Sequence, residues 1–101
     1  MSNQASWTKR LESYRYSQDE RMLSYKFSQE LEAKFEAFSN AAGQKSLLIG
    51  EFDVSKEPWR NLAIKTAARK FNFKTLEKEK GNIMEYHVYK QKLSATGMSG
   101  R

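Results

Sequence analysis

The chain has 101 residues and no cysteine, which predicts a single domain without disulfide bonds or thiolate metal sites. Hydrophobic residues make up 39% and charged residues 30%, a balance that excludes the disordered class, and no apolar run reaches the roughly 20 residues that span a bilayer. The net charge is +6, and residues 44–101 supply all of it, with twelve Lys and Arg against six Asp and Glu. We therefore expect an intracellular domain, in the cytoplasm or nucleus, with one basic half suited to a polyanion.

The N-terminal 16 residues predict a short element ahead of the main fold. Trp7 and Leu11 are four apart, which indicates a short helix that either joins the next helix or folds back on it. We divide the chain into this arm or short helix at 1–16, one α+β domain at 17–93 and a disordered tail at 94–101, which is small, polar and glycine-rich. The domain is expected to fold without the arm.

The longest predicted element is a helix near Ser17 to Ser39. Ser17 and Glu20 have the spacing of a capping box, in which two side chains satisfy the first free backbone N–H groups. A stripe of apolar residues follows at spacings of four and three, typical of one helix face. Gly43 is able to adopt the left-handed conformation that ends many helices.

The C-terminal half predicts a strand at Leu47–Ile49 with Phe52, a helix from Pro58 to about Lys70, and a hairpin of strands at 73–78 and 84–89. The fold class is therefore α+β: a small two-layer domain with a short antiparallel or mixed sheet of about three strands, packed by two main helices, with an extra N-terminal helical segment. The predicted core comprises Leu23, Phe27, Leu31, Phe35, Phe38, Leu47, Ile49, Trp59, Leu62, Ala63, Ala67, Met84, Tyr86 and Val88.

No cluster of residues indicates catalysis, a metal or a cofactor. His87 is the only histidine, and Glu85 on the same strand face is its one nearby carboxylate, which is too common a pair to mark a site. The five glycines form no phosphate-binding loop. We expect a protein that is not an enzyme and needs no cofactor or metal.

The predicted helix after Pro58 carries the basic residues that favour nucleic acid. Cations along a helix contact phosphates, and an exposed aromatic ring stacks on a base. The alternative for these charges is a solvated helix face. The candidate nucleic-acid-binding residues are Lys56, Arg60, Lys65, Arg69, Lys70, Lys74, Tyr89 and Lys90.

Residues 27–90 resemble the R-three-H domain, a family named for an Arg-x-x-x-His motif. The segments that carry the resemblance are Phe-Ser-Gln-Glu-Leu at 27–31, Lys-Ser-Leu-Leu-Ile at 45–49, Pro-Trp-Arg at 58–60, Ala-Ala-Arg-Lys-Phe-Asn-Phe at 67–73 and Glu-Tyr-His-Val-Tyr-Lys at 85–90. Arg60 matches the motif arginine, whereas Ile64 stands where the family has histidine. The resemblance implies binding of single-stranded RNA or DNA, with little sequence specificity expected.

A second hypothesis is a protein-interaction module. Residues 1–40 hold a long helix and aromatic residues that do not all fit on its apolar stripe, among them Trp7, Tyr14, Tyr16 and Tyr25. If these rings are exposed together, they suit a protein partner or dimerisation. If the first helix packs over the core, they do not.

Overall fold

A computed structural model describes residues 7–91, and the tail expected at 94–101 lies outside the described residues. Within that range the chain forms three helices and a three-stranded antiparallel sheet, which confirms the α+β class. In chain order the elements are α1 (Trp7–Glu12), α2 (Gln18–Asn40), β1 (Ser46–Asp53), α3 (Trp59–Lys70), β2 (Phe73–Lys80) and β3 (Ile83–Lys90).

The predicted capping box starts α2. The Ser17 hydroxyl accepts the Glu20 backbone N–H at 3.2 Å, and the Glu20 carboxylate accepts the Ser17 backbone N–H at 2.9 Å. The helix ends at Asn40, and Ala41 is its cap with extended backbone. Gly43 has a φ of 99° but lies in the following turn, two residues beyond the cap, so it is not the capping residue itself.

The sheet has the order β1-β3-β2, with both outer strands antiparallel to β3. Alternate residues of β3 point to opposite faces: Met84, Tyr86 and Val88 are fully buried, whereas Tyr89 is exposed. All three helices contribute to the core on the buried face. The opposite face is left uncovered by the described part of the chain.

A β-bulge between Leu48 and Gly50 shifts the register of β1 against β3, so that residues after the bulge still face the same sides of the sheet as their partners. Ile49 is the extra residue of the bulge and remains buried, and Glu51 faces outward opposite Glu85 after it. Gly50 has a φ of 152°, and a Cβ there would lie 3.0 Å from the ring of Phe52. Only glycine fits, because the conformation and the close ring both oppose a side chain.

Ten of the fourteen predicted core residues are buried, and Phe27 and Leu47 pack partly buried against the core. Leu23 and Leu62 were predicted wrongly, being 47% and 50% exposed. The apolar stripe of α2 meets the core only from Phe27 onward, so Leu23 lies beyond it. The inner face of α3 is rotated from the predicted one: Ile64 is completely buried instead of Leu62.

Helix α1 folds back and is part of the packed structure. Leu11 is only 6% exposed and belongs to the core cluster. Trp7 donates its backbone N–H to Glu79 and its indole N–H to Asn82, while the Thr8 hydroxyl donates to Glu77. Helix α1 does not continue into α2, and it packs against β2 and the hydrophobic core, so we no longer expect α1 to be dispensable.

Candidate nucleic-acid interface

The side chain of Arg60, which matches the motif arginine in the R-three-H resemblance, makes its contacts within the protein. Its Nε lies 2.8 Å from a Glu57 carboxylate oxygen, and its side chain is only 21% exposed. The guanidinium carbon also lies 4.5–4.7 Å from the ring centres of Phe27, Phe52 and Trp59. An arginine enclosed by three rings and a carboxylate joins α2, β1 and α3, and this geometry favours a structural role for it.

The position four residues after Arg60 is also internal. Ile64 has no exposed surface and belongs to the hydrophobic core. A side chain at position 64 lies in the protein interior, so packing in the hydrophobic core explains the isoleucine.

Three more of the predicted cations have partners within the protein. Lys65 lies 2.7 Å from Glu77, and Lys70 lies 2.8 Å from Glu32. Lys90 donates to the Ala41 carbonyl at 3.0 Å and sits over the ring of Phe38. These amino groups connect helices and strands, which leaves them less available to an outside ligand.

The other four predicted residues are exposed, but the fold does not bring them together. Lys74 and Tyr89 are directly opposite each other on the uncovered face of the sheet. Lys56 precedes α3, and Arg69 lies near its end. The eight predicted residues therefore do not form one surface, because the sheet separates Lys74 and Tyr89 from the helices.

A different surface combines exposed rings and cations. A groove of about 760 Å³ lies between the loop after α1, the first half of α2 and the outer side of α3. We call it the tyrosine–arginine groove. Its lining residues are Leu11, Glu12, Tyr14, Arg15, Tyr16, Arg21, Ser24, Tyr25, Ser28, Asn61, Leu62, Ala63, Lys65, Thr66 and Arg69.

The loop wall of this groove is fixed by two tyrosines. The Tyr14 hydroxyl donates to the Glu20 carboxylate at 2.8 Å, and the Tyr16 hydroxyl donates to the Pro58 carbonyl at 3.3 Å. The two rings meet edge to face at 4.9 Å. The hydrogen bond to Glu20 raises the pKa of Tyr14, and burial raises the pKa of Tyr16, so both phenols remain neutral near pH 7.

The α3 wall combines a buried polar anchor with exposed apolar surface. The Asn61 side chain is hydrogen-bonded to the Tyr86 hydroxyl at 2.6 Å, which ties the helix to the sheet beneath it. Leu62, half exposed, belongs to this wall, and Tyr25 on the α2 side is 66% exposed. The Tyr25 ring is thus the most accessible aromatic surface of the groove.

Four cations and one carboxylate are found among the described residues that line the groove. Arg15, Arg21 and Arg69 form no ion pair with any residue between 7 and 91, while Lys65 is the cation already paired with Glu77. Glu12 supplies the single carboxylate. Three guanidinium groups around an aromatic and apolar surface make the groove complementary to an anion that carries planar rings.

Sequence reasoning found only Lys65 and Arg69 of these groove residues as binding candidates. It missed Arg15 and Arg21 because it sought charges on a single helix. One signal was available: Arg21 and Tyr25 are four apart on α2 and therefore share a face. The proximity of that face to α3 depends on tertiary packing.

His87 lies on the uncovered sheet face, where its Nε2 is 3.1 Å from the Glu85 carboxylate. The hydrogen bond from His87 holds the pKa of Glu85 below its usual range, assisted by Lys80. Between residues 7 and 91, no group of three or more potential metal ligands is arranged to hold an ion. The helices described there also include none long and apolar enough to cross a membrane.

No protein-family model, no curated protein and no solved structure matches this chain. The similarity to the R-three-H family remains an inference from the short segments named above.

Proposed function

We propose that this chain is a non-enzymatic domain that binds single-stranded nucleic acid in the tyrosine–arginine groove. The observation that carries the proposal is the composition of that groove: three arginines without ion pairs in the described chain surround an exposed tyrosine, with one carboxylate among them. The location differs from the one predicted from sequence, since only Lys65 and Arg69 are shared between them.

Phosphate contacts come from the arginines at the rim. Arg15 lies in the loop after α1, Arg21 on α2 and Arg69 on α3, so the charges around the groove come from one loop and two helices. A guanidinium group offers a planar set of donors that fits phosphate oxygens in pairs. Such contacts hold the backbone of a nucleic acid and carry no sequence information.

Base contacts come from Tyr25, with Leu62 and the rim tyrosines beside it. Stacking on an aromatic side chain contributes about 1–3 kcal/mol per base and tolerates every base, because each has a flat face. A base in a duplex is already stacked and paired, so this contact favours a single strand. The R-three-H resemblance supports the same preference, and little base specificity is expected.

Variants of Tyr25 and Arg21 test the proposal. Tyr25→Ala is expected to weaken binding of a fluorescent oligonucleotide by tenfold or more, whereas Tyr25→Phe keeps the ring and stays near wild type. Arg21→Ala is expected to weaken binding of every sequence equally. Lys34→Ala, an exposed change further along α2, is the control. Equal binding by Tyr25→Ala and wild type would remove the groove from the proposal.

A protein ligand in the same groove is the second candidate. The N-terminal aromatics that suggested it are mostly engaged, since Trp7, Tyr14 and Tyr16 form internal hydrogen bonds. Tyr25 in the groove nevertheless exposes 66% of its surface, and Met22 beside the groove on α2 exposes 63%. An apolar helix docked on these residues would show association that changes little with salt, in contrast to phosphate binding.

A further inference from the structure

The uncovered face of the sheet carries a second surface, separate from the tyrosine–arginine groove. On it Leu48 is 55% exposed, Leu76 47% and Tyr89 38%. These are three of the seven large hydrophobic residues that the described chain leaves exposed. The helices between residues 7 and 91 cover only the opposite face, so within that range the apolar part of this surface is open to a partner.

The strand register arranges the side chains of this face in rows across the sheet. Leu48, His87 and Leu76 form the middle row, because both leucines pair with His87. Glu51, Glu85 and Lys78 form a second row, and Ser46, Tyr89 and Lys74 form a third. The two leucines thus lie between two rows that carry charged side chains, and Tyr89 adds a ring to one of those rows.

Charge is distributed unevenly from one edge of this face to the other. The β2 edge carries Lys74, Lys78 and Lys80, whereas the β1 edge carries Glu51 and no lysine on this face. The central strand contributes Glu85, which lies 3.1 Å from His87 and 3.5 Å from Lys80, and Lys80 also lies 3.9 Å from Glu51. Lys74 and Lys78 form no ion pair within the described part of the chain. One edge of the sheet is therefore basic and the other acidic.

We propose that two copies of this chain associate through the uncovered sheet faces, related by a two-fold axis parallel to β3. Such an axis places β1 of each copy over β2 of the other and keeps the rows aligned. Leu48 then meets Leu76 of the second copy, and Glu51 meets Lys78 of the second copy. Each contact occurs twice, as a two-fold interface requires.

The charges favour this axis over a two-fold axis that runs across the strands. A two-fold axis across the strands would place β2 over β2, so that Lys74 would meet Lys80 of the second copy. Like charges facing each other are unfavourable, while opposite charges on a sheet surface stabilise it. On the chosen axis Glu85 meets its own counterpart, but its carboxylate is already bound by His87 and Lys80 within each chain.

The size of the face predicts a weak dimer. Three strands of eight residues cover roughly 400 Å² per copy, at about 3.3 Å per residue along a strand and about 4.8 Å between strands. Stable complexes usually bury about 800 Å² per partner. We therefore expect association at about 100 µM or above, with the two sheets about 10 Å apart.

Sedimentation velocity of the full chain from about 10 µM to about 1 mM tests the proposal. The wild type is expected to shift from monomer to dimer across this range. Glu51→Lys and Lys78→Glu should each weaken the dimer about tenfold, since two symmetric contacts turn from attractive to repulsive. The double variant should recover to within about threefold of wild type, because the pair is restored with its signs exchanged.

Lys34→Glu is the matched control for Lys78→Glu, since it makes the same charge change at an exposed position on α2. It should leave the dimer unchanged. Circular dichroism and a thermal melt of each variant establish that the chain still folds. A wild type that is monomeric at the highest concentration, an equal effect of Lys34→Glu, or a double variant without recovery would each overturn the proposal.

Discussion

Replacing Arg60 by alanine separates a structural role from a binding role at the motif arginine. The change removes three ring contacts of about 0.5–1 kcal/mol each and an ion pair with Glu57 of about 0.5 kcal/mol. These contributions sum to about 2–3.5 kcal/mol, and because one guanidinium group makes all of them we expect the lower limit, a loss in free energy of unfolding of about 2 kcal/mol. For a domain of this size, that lowers the melting temperature by about 10 °C.

Arg69→Ala is the matched comparison, since the same residue type is lost from the same helix. Arg69 is exposed and has no ion pair in the described chain, so its loss should change stability by less than about 0.5 kcal/mol. Its effect should instead appear in nucleic-acid affinity, because Arg69 lines the tyrosine–arginine groove.

Circular dichroism during a thermal melt measures the change in stability. Fluorescence anisotropy during an oligonucleotide titration measures the change in affinity. Folded Arg60→Ala, assayed well below its melting temperature, should bind nearly as well as wild type. The reasoning fails if Arg60→Ala melts like wild type and loses binding, since the arginine would then act at the surface.

Three further predictions concern stability. Leu11→Ala should reduce the free energy of unfolding by about 3 kcal/mol in a denaturant titration, because it opens a cavity where α1 meets the core. Ile64→His should lower the melting temperature without increasing nucleic-acid affinity, because position 64 is fully buried. Hydrogen bonds from Ser17 and Tyr14 lower the pKa of Glu20 from its ordinary 4.5, so its stabilising effect is fully present above that pH and is lost as the pH falls through the lowered pKa. The difference in melting temperature between wild type and Glu20→Gln should therefore shrink as the pH falls from about 6 to about 3.

Local signals in the sequence account for the elements that were predicted correctly. The capping box at Ser17 and the period-two pattern of β3 depend on neighbours in the chain, and both appear in the fold as expected. The buried face of α3 could not be predicted from local signals. Its alanines allow several rotations of the helix, and packing between α2 and the sheet selects the one that buries Ile64.

The candidate site depended even more on tertiary structure. The predicted cations shared a segment of the sequence, but the fold pairs Arg60, Lys65 and Lys70 with carboxylates. The arginines that remain available come from one loop and two helices, and no spacing rule connects them. Charge patterning identified the ligand class proposed here, whereas the location of the groove required the packing of α2 against α3.

The salt dependence of oligonucleotide binding tests the central proposal most directly. Wild-type protein is titrated with fluorescent single-stranded RNA, single-stranded DNA and duplex at several salt concentrations, beside a variant with Arg15, Arg21 and Arg69 replaced by alanine. Three phosphate contacts predict a slope of about −2 for the logarithm of affinity against the logarithm of salt concentration on a single strand. The variant should bind weakly, with a slope near zero, while its melting temperature stays close to wild type. Absence of salt-dependent binding by the wild type at micromolar concentration, or an unchanged slope in the variant, would contradict nucleic-acid binding in the groove.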